Sequence, residues 1–194
     1  MPVRNINTPI ESDRYYHIFN RGNGSLNLFY TPNNYQYFLN QYSKYLGPYC
    51  DTLAYCLLPN HFHLLIKTKR RISDSNTVGK VVSEHFRRLF ITYSQAIKKQ
   101  NGIKGSLFSR PFKRLLIEDE DYLKYVTFYI HHNPVKHGLS EQFLNYRFSS
   151  YQALTSSLPT NLNRRLVLDL FGGKENFLSF HNYYHEEKKA LMLE

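Results

Sequence analysis

Hydrophobic spacing along the chain switches between a period of two and a period of three to four residues, and each switch marks an element. The run Y-Y-H-I-F-N-R at 15–21 is dense in aromatic residues and predicts a first strand, closed by Gly22-Asn23-Gly24. Thr31-Pro32 predicts a helix start, with threonine as N-cap and proline in the first turn, where its missing amide costs no hydrogen bond. Tyr35, Phe38, Leu39 and Tyr42 then recur at helical spacing until Gly47-Pro48 stops the run. Two strands are expected next, about 50–57 and 61–68, and the short Leu58-Pro59-Asn60 link makes them a hairpin.

A long helix is predicted over about 75–99, because Val78, Val82, Phe86, Leu89, Tyr93 and Ile97 give it one apolar face. Arg87, Arg88, Lys98 and Lys99 fall elsewhere, and Glu84 stands four residues before Arg88, the spacing of a helical ion pair. Asn101-Gly102 ends the run, and a strand follows at about 112–117. The acidic cluster 118–121 suits the N-terminal dipole of a third helix, about 119–132, which Pro134 is expected to end or kink at Asn133. Strand, helix, strand, strand, helix, strand, helix is the order of an α+β, ferredoxin-like antiparallel sheet with packed helices. At 194 residues the chain suffices for one well-buried domain, read as a core of about 13–138 and a tail of about 139–194 with one or two short helices.

Composition narrows the class. With 42% hydrophobic and 21% charged residues, disordered and collagen-like chains are excluded. Apolar runs such as 53–58 are far below the ~18 residues of a membrane helix, and the first residues carry no apolar leader core. Cys50 and Cys56 alone build neither a disulfide framework nor a four-cysteine zinc site. The expectation is a soluble, reduced, cytoplasmic protein with no membrane partner. Charge then changes the picture. Between Lys67 and Arg114 there are 13 basic residues and two acidic ones, Asp74 and Glu84, so this stretch holds the whole of the chain's net +10. A concentrated excess of this kind is the footprint of a polyanion partner. The 17 Tyr and 14 Phe supply rings on which unpaired bases can stack, although most of them must build the core.

The candidate chemistry lies in L-P-N-H-F-H-L-L-I, residues 58–66. Strand alternation puts His61 and His63 on one face and Phe62, Leu64 and Ile66 on the other, and two adjacent neutral imidazoles can grip one divalent cation. The pair is weak evidence alone, since nine histidines give roughly 0.4 such pairs per chain by chance. In T-F-Y-I-H-H-N-P, Tyr129 and Asn133 stand at i,i+4 on one helix face, where the amide oxygen is a candidate third ligand. By themselves they read more readily as one tyrosine among 17 and a helix terminator.

The ordered blocks L-P-N-H-F-H-L-L-I, G-S-L-F-S-R-P-F-K-R, Y-I-H-H-N-P-V-K-H-G-L and R-F-S-S-Y together resemble the REP-associated branch of the IS200-like single-tyrosine transposases, within the HUH (His-hydrophobic-His) nuclease superfamily. The resemblance covers about 15–151. It implies the HUH endonuclease fold and a transposase that nicks and rejoins single-stranded DNA at a hairpin through a 5′-phosphotyrosine intermediate. On that resemblance His61 and His63 are the HUH pair that binds Mg²⁺ or Mn²⁺, Tyr129 is the nucleophile, and Asn133 takes the polar position where many relatives carry glutamine. Phe148 stands where the family's W-S-S-Y motif usually has tryptophan, a change of packing rather than chemistry. Arg110, Lys113 and Arg114, with Arg21 after the first strand, are candidate DNA contacts. Lys136, roughly two turns beyond Tyr129, is a candidate to favour its phenolate. His131, His132 and His137 are read as bystanders, and His17, His85, His181 and His185 have no evident partner. The partner expected is single-stranded or hairpin DNA, the location the nucleoid, and both a monomer and a homodimer fit. Two other classes compete: a domesticated, non-cleaving DNA-binding protein, and an RNA-binding module on the same topology.

Overall fold

A computed structural model of the protein describes residues 7–70, 78–109 and 111–190. Strand β1 (Tyr15–Arg21) leads to helix α1 (Pro32–Leu46), the hairpin strands β2 (Cys50–Leu58) and β3 (His61–Thr68), helix α2 (Val78–Asn101), strand β4 (Lys113–Ile117) and helix α3 (Glu120–Lys136). The expected start of α2 before Val78 lies outside the described residues. All neighbouring strands pair antiparallel in the order β2-β3-β1-β4, the ferredoxin-like arrangement that the element order predicted. No helix among the described residues is long and apolar enough to cross a membrane.

Alternation sorts the sheet into two cores. Tyr16, Ile18, Phe62, Leu64 and Ile66 pack with α1 and α2, including Phe38, Phe86 and Tyr93. Cys56, Leu58, Leu65 and Ile117 face the other way, onto α3 and the C-terminal helices. Thr31 is the N-cap of α1, but its side chain makes no capping bond; Asn34 Oδ1 reaches back instead to the amides of Tyr30 and Thr31. Gly22 closes β1 where only hydrogen fits, because a Cβ there would collide with the Leu26 carbonyl.

Two expectations need correction. α3 does not end at Pro134; it runs on to Lys136 with the proline inside it. Proline forfeits one helical donor, whereas the end is set further on. There Gly138, at φ 65°, lets Leu139 N–H donate to Pro134 O and Gly138 N–H donate to Val135 O, a Schellman close. The tail also holds more than one or two short helices: a 3-10 turn (Phe143–Asn145), then α4 (Tyr151–Thr155), α5 (Arg164–Leu170) and α6 (Lys174–Ala190). Its pattern was cryptic because buried His181 stands in the apolar stripe of α6 beside Phe177.

The tail completes the fold. Leu57 N–H donates to Phe148 O and Ser150 N–H to Tyr55 O, so the R-F-S-S-Y segment covers the otherwise open edge of β2. Phe148 itself stacks on Tyr35 at 3.6 Å. His131 is no bystander: its Nδ1 lies 2.9 Å from His181 Nε2 and its Nε2 2.8 Å from Ser150 Oγ, a buried relay tying α3, α4 and α6 together.

Candidate active site

With Phe62, Leu64 and Ile66 committed to the α1/α2 core, His61 and His63 emerge beneath α3. The ladder sets His61 opposite Arg21 and His63 opposite Phe19 on β1, and Phe19 opposite Lys113 on β4. His17, two residues before Phe19, shares this face and reaches across, its Nε2 lying 2.9 Å from His63 Nδ1. His61 Nδ1 lies 2.7 Å from Asn60 Oδ1, an atom that only accepts, so that ring carries its proton on Nδ1 and leaves Nε2 basic. His17 Nε2 and His63 Nδ1 share one hydrogen bond, and in the tautomer in which His63 donates it, His63 likewise presents a bare Nε2.

Burial keeps these rings uncharged. It is the main reason His61 is lowered to about 4, with the positive fields of His137 and Lys136 adding to it. His63 lies well below its ordinary value, through burial first and then its imidazole neighbours. His17 falls to about 3 by burial. Neutral imidazole is the form that ligates a metal.

α3 supplies the opposing wall. Tyr129 presents its ring edge-on to His63 at 5.7 Å and to His17 at 6.0 Å. Lys136 Nζ donates to the Tyr129 hydroxyl at 3.4 Å and sits 5.0 Å from its ring centre. That approach depends on the helix continuing past Pro134, which keeps position 136 two turns above 129 on one face. His137 closes the rim, 4.6 Å from His61 ring to ring. Asn133 is fully buried: Nδ2 donates to the Tyr129 carbonyl at 2.7 Å, while Oδ1 is buried with no hydrogen-bond partner.

Sheet and helix enclose a cleft of about 730 Å³. Among the described residues, its lining includes the cations of Arg21, Lys113 and Lys136 and no carboxylate, so the cavity favours anions. Two neutral imidazoles that share one strand face also suit a divalent cation. Among the described residues no three His, Cys, Asp or Glu side chains form a ligand group. A cation here would therefore complete its shell with oxygen from water or substrate.

The cleft thus gathers His61, His63, Tyr129, Arg21 and Lys113, whereas Asn133 lies buried outside its lining. Arg114 is placed elsewhere, a correction to its grouping with Lys113. Alternation turns it to the α1/α2 side of the sheet, where Nε donates to the Thr8 carbonyl at 2.6 Å and the guanidinium lies over Phe112. Arg110 lies outside the described residues. Sequence reasoning missed His17 and His137. The alternation of β1 could have paired His17 with Phe19, but the β1–β3 register that brings it to His63 has no local signal.

The family described as "Transposase IS200 like" matches residues 12–133, from just before β1 to the buried amide of α3. A Haemophilus influenzae protein described as "Putative REP-associated tyrosine transposase" is 31% identical over 105 residues, which is 52% of this chain and 58% of that protein. The chain thus matches less than two thirds of that relative's length. A solved structure, "Structure of the REP associates tyrosine transposase bound to a REP hairpin", aligns with a TM-score of 0.62 and 20% identity over 80% of this chain and 87% of that one. At that identity it speaks for the fold. With the family match spanning most of the core and both sides of the cleft, the chain belongs to the IS200-like transposase family.

Proposed function

We propose that this protein is a metal-dependent single-stranded DNA endonuclease and strand transferase that acts at hairpin-forming DNA through a 5′-phosphotyrosine on Tyr129. One observation carries the reading: the Tyr129 hydroxyl stands beside the Lys136 ammonium and its ring edge-on to His63, in a cleft that, among the described residues, is lined by cations and no carboxylate. A phosphodiester entering such a cleft meets a nucleophile together with the charges that stabilise it.

The chain's own residues divide the work. Tyr129 Oη attacks phosphorus as its phenolic proton leaves to solvent. The bond from phosphorus to the 3′ oxygen breaks, and that oxygen takes up a proton as a 3′-hydroxyl. The Lys136 ammonium, 3.4 Å from the hydroxyl, stabilises the negative charge that gathers on the oxygens as phosphorus is attacked. His61 and His63, held neutral, add no negative charge beside the phosphate. When held by His61 and His63, Mg²⁺ or Mn²⁺ would supply Lewis-acid neutralisation of the scissile phosphate; Asn133 Oδ1, buried without a partner outside the cleft's lining, would join them only if its side chain turned towards the cleft. Arg21 and Lys113 face the same cleft and are the candidate backbone contacts. In the reverse sense, a 3′-hydroxyl from another strand displaces Tyr129, so cutting and rejoining need no nucleotide cofactor. The relative described as bound to a REP hairpin supports hairpin DNA as the partner.

The test is incubation with a pool of hairpin-bearing single-stranded oligonucleotides and Mn²⁺, followed by denaturing electrophoresis. A protein–DNA adduct that EDTA prevents is expected. DNA binding with no adduct would favour a non-cleaving DNA-binding protein, and a metal-indifferent preference for RNA would favour an RNA-binding module.

A further inference from the structure

A second cavity, of about 770 Å³, opens between α2 and the segment that precedes β4. Its helical wall is a single stripe of α2, formed by Arg87, Phe90, Ile91, Ser94, Gln95 and Lys98 at i, i+3, i+4, i+7, i+8 and i+11. The stripe is distinct from the core-facing Val82, Phe86, Leu89 and Tyr93. Phe108 and Phe112 supply further rings, centred 4.8 and 5.7 Å from Phe90. Phe90 and Phe112 are only partly buried, and Ile91 is 41% exposed, so the cavity shows apolar surface that the core leaves open.

This cavity lies on the α1/α2 side of the sheet, opposite the cleft, and the two meet at the sheet's edge. Asn20, Ser109 and Pro111 line both, so a strand that leaves Tyr129 and His63 and rounds this edge can send a side group into it. We propose that it holds an unpaired nucleobase of the strand whose phosphate lies in the cleft, an inference that rests on the DNA reading above. The aromatic walls offer stacking faces, which every base can use. Asn20, Ser94 and Gln95 offer donors and acceptors to a base edge. Lys98 brings positive charge for the flanking phosphate, whereas Arg87 is largely committed to Glu84 at 2.6 Å. The volume lies in the range of clefts that enclose small organic ligands. A base stacked in a duplex cannot enter, so the occupant belongs to the single-stranded flank of the hairpin.

Two variants test this. Phe90→Leu removes a ring and keeps apolar volume, while Ser94→Phe plugs the cavity from the helix surface without touching the core. The probes are a hairpin pool with six-nucleotide single-stranded extensions and the same pool made blunt, both assayed by anisotropy on Tyr129→Phe protein. A third probe carries 5-iodouracil in the extensions for photocrosslinking. Each variant is expected to bind the extended pool about tenfold more weakly, the scale of one lost base–aromatic stack, and the blunt pool unchanged. Crosslinks should map to peptides containing Phe90, Phe108 or Phe112. Unchanged affinity of both variants for the extended pool, or crosslinks confined to other peptides, would overturn the base pocket while leaving the nuclease reading intact. If no probe binds the protein at all, the DNA reading fails and the pocket proposal fails with it.

Discussion

Substituting His17 separates the roles of the two imidazoles that touch across β1 and β3. His17→Leu removes the ring nitrogen 2.9 Å from His63 Nδ1 and puts nothing polar in its place. His63 is only 6% exposed, so water cannot readily replace the lost partner. An unsatisfied buried donor costs about 1–3 kcal/mol. Removing the buried His17 ring refunds part of its own desolvation, so the net loss should sit near the lower end, about 1 kcal/mol. The larger effect falls on the metal. Without its partner His63 can move its proton to Nε2, the nitrogen that faces away from His17, and losing such an outer partner typically weakens metal binding about 10–100-fold. His17→Gln restores an acceptor and should recover most of the affinity. Calorimetric titration with Mn²⁺ reads the binding, and urea unfolding in EDTA reads the stability without metal. If His17→Leu binds Mn²⁺ as tightly as the unaltered protein, His17 does not fix the His63 tautomer and the metal reading of this pair loses its support.

Other expectations follow from the same geometry. Lys136→Met should slow adduct formation by about tenfold or more, because it removes the ammonium beside the phenol, while anisotropy shows hairpin binding nearly unchanged; an unaltered rate would contradict the role given to Lys136. Arg21→Ala and Lys113→Ala should each lower the salt slope of DNA binding by about one, while Arg114→Ala, on the other face of the sheet, should leave it alone. His131 and His181 are held neutral mainly by burial, His181 at about 3. The unfolded chain protonates them near ~6.5, so their contribution is complete above that pH and is lost as pH falls, by up to about 1.4 kcal/mol per unit for each. The urea midpoint should therefore drop from pH 7.5 to pH 5, and a flat midpoint would refute the buried relay.

The fold was legible wherever one face of an element was apolar. Val78 to Ile97 marked α2, the Pro59-Asn60 turn marked the hairpin, and the order of the elements gave the sheet. The His61/His63 face followed from the burial of Phe62, Leu64 and Ile66. What stayed hidden depended on distant contacts. The end of α3 is decided by Gly138 rather than by Pro134, and a proline rule cannot weigh the two. The tail helices were obscured because His131, His181 and Ser150 satisfy one another in a place where hydrophobic patterning expects aliphatic residues. Arg114 looked equivalent to Lys113 in sequence, yet a one-residue step on a strand reverses the face.

The most direct measurement is mass spectrometry of the tryptic peptide 125–136, Y-V-T-F-Y-I-H-H-N-P-V-K, recovered from adduct formed with Mn²⁺ and hairpin DNA. This peptide carries its own control, since Tyr125 packs against Tyr184 outside the cleft while Tyr129 faces His63. The expected result is a nucleotide phosphate on Tyr129 alone and no adduct from Tyr129→Phe. A modified Tyr125, or adduct that persists in Tyr129→Phe, would contradict the assignment of the nucleophile.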